Sequence, residues 1–198
     1  MKHILPITIF LSLMITTVAR AQDTFGLLYT ISFPTGNTND YLSKASFRGV
    51  TLDFRHQITP EVAAGFSTGW YTFYERKDYD TYSVQGNEVT FSGIQYRYLN
   101  SAPLLALVDY YFKPDEAISP FAGLGIGSTY NRATISMGLY EVDIESWHFT
   151  LAPEVGVQFT GGIGASGFLS ARYNYNFAGS DLETQSYISL NIGVLLGM

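Results

Sequence analysis

Ten residues near the end of the chain, Tyr187-Ile-Ser-Leu-Asn-Ile-Gly-Val-Leu-Leu196, decide how the rest is read. Ile188, Leu190, Ile192, Val194 and Leu196 alternate with Tyr187, Ser189, Asn191, Gly193 and Leu195. A period of two marks a strand with two unlike faces. The run before it repeats the pattern. There Leu169, Ala171, Tyr173, Tyr175 and Phe177 alternate with Phe168, Ser170, Arg172, Asn174 and Asn176.

Working outward from these two runs, the same alternation predicts eight strands: 24–33, 47–58, 62–74, 102–112, 120–130, 147–160, 167–177 and 186–196. Each reaches the roughly 9–11 residues that a tilted transmembrane β-strand needs. Strands of soluble sheets are nearer 5–6. The intervening segments alternate in length. The stretches 34–46, 75–101, 131–146 and 178–185 are all longer than 59–61, 113–119 and 161–166. Short turns at one end and long loops at the other are the signature of an up-and-down outer-membrane barrel.

Composition agrees. The 198 residues include 15 Tyr, 14 Phe and 19 Gly, no Cys, and only 14% charged residues. Soluble domains carry about 25%. Without Cys there is no disulfide scaffold and no thiolate metal site. Eleven basic against 17 acidic residues, a net charge of −6, argue against a nucleic-acid partner. At the start, Lys2 and His3 precede an apolar run from Ile4 to Val18, and Ala19-Arg20-Ala21 follows. The run is too short to span a membrane as a helix. It reads as a signal peptide over residues 1–21, which leaves residues 22–198 as the barrel domain.

In a barrel that spans lipid the apolar set must face outward. That assigns to the outside Phe25, Leu27, Tyr29, Ile31 and Phe33 of the first strand and Val50, Leu52 and Phe54 of the second. It also places there Leu104, Ala106, Val108 and Tyr110 of the fourth and Phe149, Leu151, Val155 and Val157 of the sixth. Aromatic residues gather at strand ends: Tyr71, Phe73, Tyr74, Tyr110, Tyr111, Phe112, Tyr130, Trp147, Phe159, Tyr175 and Phe177. They are expected to form interfacial girdles. Charges within strands must face the lumen. Asp53, Arg55, Asp109, Glu154 and Arg172 are therefore expected to form a structural ion-pair network, with Glu154 and Arg172 as a neighbouring pair. An eight-stranded barrel is just filled by side chains, so the lumen is expected to be plugged. Gly123, Gly125 and Gly127 point inward and would make room for Arg172 or Tyr187.

The chain resembles the small outer-membrane β-barrel proteins of Gram-negative bacteria, the OmpX/OmpW-like or "porin family" group. The signal peptide, Ala102-Pro-Leu-Leu-Ala-Leu-Val-Asp-Tyr-Tyr-Phe112 and Ser119-Pro-Phe-Ala-Gly-Leu-Gly-Ile-Gly127 carry the resemblance. It implies the barrel fold, the outer membrane as address, lipid as surroundings and the barrel-assembly machinery as a partner. Members of the group usually end in an aromatic residue, whereas this chain ends in Leu195-Leu196-Gly197-Met198.

No catalytic residue, metal site or cofactor is expected. His56 lies at the short-turn end of its strand. His148 is inward and near Ser146, but the order Ser-Trp-His-Phe-Thr does not match barrel deacylases. The Gly-x-Gly-x-Gly run opens no helix, so it is no phosphate loop. Asp78 and Asp80, and Glu141, Asp143 and Glu145, read as solvated loop acids. The long segment 75–101 carries Tyr79, Tyr82, Phe91, Tyr96 and Tyr98, and 89–91 and 94–98 could extend a hairpin above the membrane. Tyr79, Tyr82, Tyr96 and Tyr98 are the candidate contacts for an extracellular protein or glycan. The expected function is structural or interactive, through the extracellular loops of a monomer. The alternative is a small channel or carrier for hydrophobic or small solutes.

Overall fold

A computed structural model describes residues 23–84, 89–114, 116–160 and 164–197. The expected signal peptide lies outside them. Eight antiparallel strands close into a barrel in sequence order. They are β1 (Asp23–Thr35), β2 (Ser46–Gln57), β3 (Val62–Val84), β4 (Val89–Tyr111), β5 (Ile118–Met137), β6 (Tyr140–Thr160), β7 (Ala165–Asn176) and β8 (Gln185–Gly197). A six-residue helix, α1 (Gly36–Tyr41), lies between β1 and β2. β8 closes the barrel against β1, from Thr24 opposite Gly197 to Thr35 opposite Ser186. Closure satisfies the backbone of every membrane-depth strand, which lipid cannot do.

The alternation assigns the faces correctly. Leu27, Leu104, Val108, Phe149, Val155 and Ile192 are all exposed on the outside of the wall. Asp53, Arg55, Asp109, Glu154 and Arg172 are all buried inside it. The girdle needs correction. Tyr71, Phe73 and Tyr111 are buried in the lumen, because they share a parity with Ser67, Glu75 and Asp109. Tyr110, Phe112, Trp147, Phe159 and Phe177 do face outward. Tyr110 packs edge-on to Phe112 at one rim, and Tyr130 packs against Trp147 at the other.

The larger correction concerns strand length. β3 and β4 are each 23 residues, against 12 for β7. Segments 75–101 and 131–146 are therefore not loops. They are the upper parts of two hairpins, joined by residues 85–88 and by Gly138-Leu139. The physical reason is a change of phase. Within the membrane the outward residues are apolar. Above it, β5 and β6 turn Arg132, Thr134, Asp143 and Glu145 outward to water and Ala133, Ile135, Val142 and Ile144 inward. The period of two persists, but its polarity inverts, so a search for outward apolar residues stops at the rim.

Candidate functional site

Three layers fill the bore. Toward the short-turn end, Leu28, Ala63, Tyr111, Phe121, Phe168 and Leu195 form an apolar floor. Phe121 and Phe168 stack with centroids 5.2 Å apart. The Arg55 guanidinium lies over Phe168 at 4.6 Å from the ring centre, a cation–π contact in a dry setting.

The middle layer brings together all five charged residues expected in the lumen. Arg55 Nε donates to Asp109 at 2.7 Å and its Nη1 to Asp53 at 2.6 Å. A third arm points at Glu154, 3.5 Å away. Arg172 sits opposite Glu154 in the β6–β7 register. Its Nε and Nη2 both donate to Glu154, at 3.1 and 2.8 Å, and its Nη1 donates to Ser67 at 2.8 Å. Nη2 also lies 3.6 Å from Asp53. Asp53 and Glu154 thus each face both arginines, which cross-links β2, β4, β6 and β7 through the bore. Ser67 and Ser170 complete the network. Ser170 donates to Glu154 and receives Asn191. Sequence reasoning missed both serines, although their inward parity was readable.

The inward glycines serve other neighbours than expected. A Cβ on Gly123 would overlap the Asp109 carboxylate, and one on Gly127 would overlap the carbonyl oxygen of Leu104. Gly125 lies against Leu105, Leu107 and Ala152. Gly123 makes room for Asp109, not for Arg172 or Tyr187.

The upper layer is a plug of Leu42, Tyr71, Phe73, Leu99, Ala133 and Tyr187. Tyr187 meets Tyr71 and Phe73 edge-on, and its hydroxyl hydrogen-bonds with Ser101 at 3.0 Å. α1 lies across the mouth above it. Thr38 Oγ1 donates to Gln185 at 2.9 Å and accepts the Ser186 amide at 2.8 Å. Tyr41 reaches over to the Thr134 carbonyl, 3.3 Å away. Burial pushes the Tyr41 phenol up to about 12, against the opposing pull of Arg97. The short segment 43–45 is tied to β3 by Glu75, which accepts the Ser43 amide at 2.5 Å and the Lys77 ammonium at 2.6 Å. Burial alone would raise the Glu75 carboxyl. These hydrogen bonds outweigh it and hold the carboxyl below its usual range.

Among the described residues, His56 and His148 form no relay. His56 is exposed, with Nδ1 2.6 Å from Asp23. His148 is buried, and its Nδ1 lies 2.7 Å from the Phe177 carbonyl oxygen. A carbonyl only accepts, which assigns the proton to Nδ1. Its Nε2 and the Ser146 hydroxyl have no protein hydrogen-bond partner, so the two are not bonded to one another. On β6, Asp143 pairs with Arg132 at 2.6 Å and accepts Thr134. These hydrogen bonds hold its carboxyl below the ordinary range. Among the described residues no group of three His, Asp or Glu is arranged to hold a metal.

Above the rim the sheet opens. β2 leaves β3 after Gly49 and Tyr71, while β3 continues against β4 to Val84. β7 meets β6 only from Thr150 onward, while β6 continues against β5 to Tyr140. The upper parts of β3, β4, β5 and β6 therefore form a projecting sheet whose outer strands have no further strand partner along 76–84 and 140–145, beyond the points where segments 43–45 and 177–179 lie against Glu75 and 146–149. Of the tyrosines expected as loop contacts, Tyr79 stands 73% exposed beside a register shift between Lys77 and Asp80. Tyr96 and Tyr98 are not free contacts. They are half-buried on the outward face of β4, packed with Tyr74 at 6.5 and 5.0 Å. Tyr82 pairs with Phe91 through the backbone, and its side chain lies outside the described groups.

An eight-stranded closed barrel with a charge-free outer belt and a filled bore has the fold of the small outer-membrane β-barrels. Solved structures carry the same fold. The attachment invasion locus protein Ail of Yersinia pestis is 15% identical, with 91% of this chain and 100% of that one covered and a TM-score of 0.55. Neisserial surface protein A is 16% identical, with 89% and 96% covered and a TM-score of 0.54. The outer membrane protein OprG of Pseudomonas aeruginosa is 13% identical, with 90% and 96% covered and a TM-score of 0.53. No protein-family model matches the sequence. No curated protein matches it either. In such barrels the short turns are periplasmic and the long ends extracellular.

Proposed function

We propose that this chain is a non-enzymatic surface-interaction barrel whose projecting sheet takes an extended segment of a partner protein by strand addition. The observation that carries this reading is that β3 along 76–84 and β6 along 140–145 have no strand partner on their outer side. A bare edge offers a row of unpaired backbone donors and acceptors. Strand addition uses them for affinity and the alternate side chains for specificity. Tyr79, prominent on the β3 edge, is the side-chain anchor. The charges of Arg76, Lys77, Asp78 and Asp80 on that edge guard it against self-association, as edge charges do elsewhere.

A protein partner fits better than a sulfated glycan. Ail has been crystallised with the heparin analogue sucrose octasulfate. Here the described upper surface carries Asp40, Asp78, Asp80, Glu141, Asp143, Glu145, Asp181 and Glu183 against Lys44, Arg48, Arg76, Lys77, Arg97 and Arg132. An acidic excess repels a polyanion. The plug and the ion-pair layer speak against passage of solutes through the bore. Closure leaves no membrane-depth edge, which suits a monomer delivered by the barrel-assembly machinery.

The test compares cells displaying the full chain with cells displaying a variant in which residues 78–94 are replaced by Asn-Gly. That cut joins Lys77 to Gln95, which already face one another. Adhesion to immobilised serum and matrix proteins is expected to be lost in the variant, with planar-bilayer conductance absent in both. Equal adhesion would refute the reading.

A further inference from the structure

We propose that the extracellular mouth of the barrel binds a small amphipathic cation, an apolar body ending in a protonated amine. A cavity of about 260 Å³ lies there, roofed on one side by α1 and the connection 177–184 and walled on the other by β5 and β6. Pockets for drug-sized ligands run from ~300 to ~1,000 Å³, so the ligand is smaller than those.

The floor and walls are apolar. Leu99 and Ala133 are buried at its base. Val142, on the inner side of β6, lines the cavity and stays 52% exposed. An inward Val with half its surface uncovered is an unpartnered apolar contact. Leu182 and Tyr41 close the opposite side. The rim is anionic. Asp181 and Glu183 border the cavity. The Asp181 carboxylate accepts Ser180, and Glu183 accepts Asn37 at 3.4 Å. Neither takes part in any ion pair among the described residues. Arg97, the cation on this side of the mouth, is already engaged. It lies 5.2 Å from the Tyr41 ring centre and donates to Gln95 and to the Tyr41 carbonyl, outside the cavity lining.

The combination selects by charge. The apolar walls favour any small hydrophobic body, and two unneutralised carboxylates favour the one that carries a positive end and repel an anion. The site does not depend on the bare sheet edges, so the 78–94 excision leaves it in place.

The test uses the chain in zwitterionic lipid nanodiscs and three probes of one body: 3-phenylpropylamine, 3-phenylpropanol and 3-phenylpropionate. Binding is read from the Val142 and Leu182 methyl resonances, with empty nanodiscs as the baseline for partition into lipid. The amine is expected to bind, the alcohol to bind about fivefold more weakly, and the acid not to shift these methyls. The fivefold figure is the scale of two partly exposed carboxylate contacts. Asp181→Asn combined with Glu183→Gln is expected to bring the amine to the level of the alcohol and leave the alcohol unchanged. Both positions are exposed, and heat-modifiable gel migration verifies folding. Absence of amine binding, equal binding of all three probes, or an unaltered amine preference in the double variant would each overturn the proposal.

Discussion

The wall made by β7, β8, β1 and β2 and the wall made by β3 to β6 use one alternation and end at different heights. The first consists of strands of 12 or 13 residues. The second consists of strands of 20 to 23. In the short wall the chain leaves the sheet at the rim and spends its connections on the mouth, as α1 and the segment 177–184. In the tall wall the strands themselves become the surface. Alternation dictates which way a side chain points. It does not dictate how far a strand runs, and the four tall strands lose their outer partners where β2 and β7 stop. Below the rim every edge is closed and a charged layer lies between two apolar ones; above it the outer strands lack a further strand partner and the inner face of β5 and β6 is apolar.

The largest effect expected from breaking this contrast lies in the bore. Arg172→Leu leaves Glu154 and Asp53 facing a single arginine in a dry interior. Removing one partner of a buried pair costs about 3–5 kcal/mol. Urea unfolding from lipid vesicles is expected to show a loss of that size. A loss below ~1 kcal/mol would mean that the network contributes little to holding the walls together.

Glycines sharpen the comparison. A Cβ on Gly65 would overlap the carbonyl oxygen of Phe54 in the closed part of the barrel. Overpacking of this kind costs about 1–3 kcal/mol. In the projecting sheet, a Cβ on Gly93 would meet the flexible Met137 side chain at 3.4 Å, an ordinary contact. Gly65→Ala is expected to lower the unfolding midpoint clearly, and Gly93→Ala to leave it within error.

A smaller effect sits at the seam between the walls. Glu75 ties the segment 43–45 to β3 by charge-assisted hydrogen bonds. Its folded carboxyl is held below the ordinary range. The tie is therefore complete above the ordinary carboxylate range and is lost as pH falls through the depressed value. The Ser43 amide resonance is expected to move only in that acidic window. Glu75→Gln is expected to cost about 1 kcal/mol and to abolish the titration. The smallest effect on the barrel belongs to the projecting sheet itself. Replacing 78–94 by Asn-Gly is expected to leave the urea midpoint unchanged.

What the sequence discloses follows the same division. Within lipid, the solvent forces outward residues to be apolar, so Ile188 to Leu196 and their counterparts were legible. The five buried charges were legible for the same reason, since no other face tolerates them. Above the rim water lies outside, and Ile135, Val142 and Ile144 turn in while Arg132 and Asp143 turn out. The inversion hid the upper strands and made them look like loops. It also concealed that Tyr96 and Tyr98 are packed wall residues. Six residues of helix carry no readable period, and Gly36 at φ +50° in a polar stretch reads as a turn, so α1 and the mouth it covers were not legible.

Amide hydrogen exchange of the folded chain in nanodiscs tests the central claim directly. Strands β7, β8, β1 and β2 and the lower parts of β3 to β6 are expected to be protected for the lifetime of the barrel. Along 76–84 of β3 and 140–145 of β6, amides are expected to alternate between slow and fast, because only those facing β4 or β5 have a strand partner. Uniform protection of both stretches would mean that the edges are covered, and it would contradict the open sheet on which the proposed function rests.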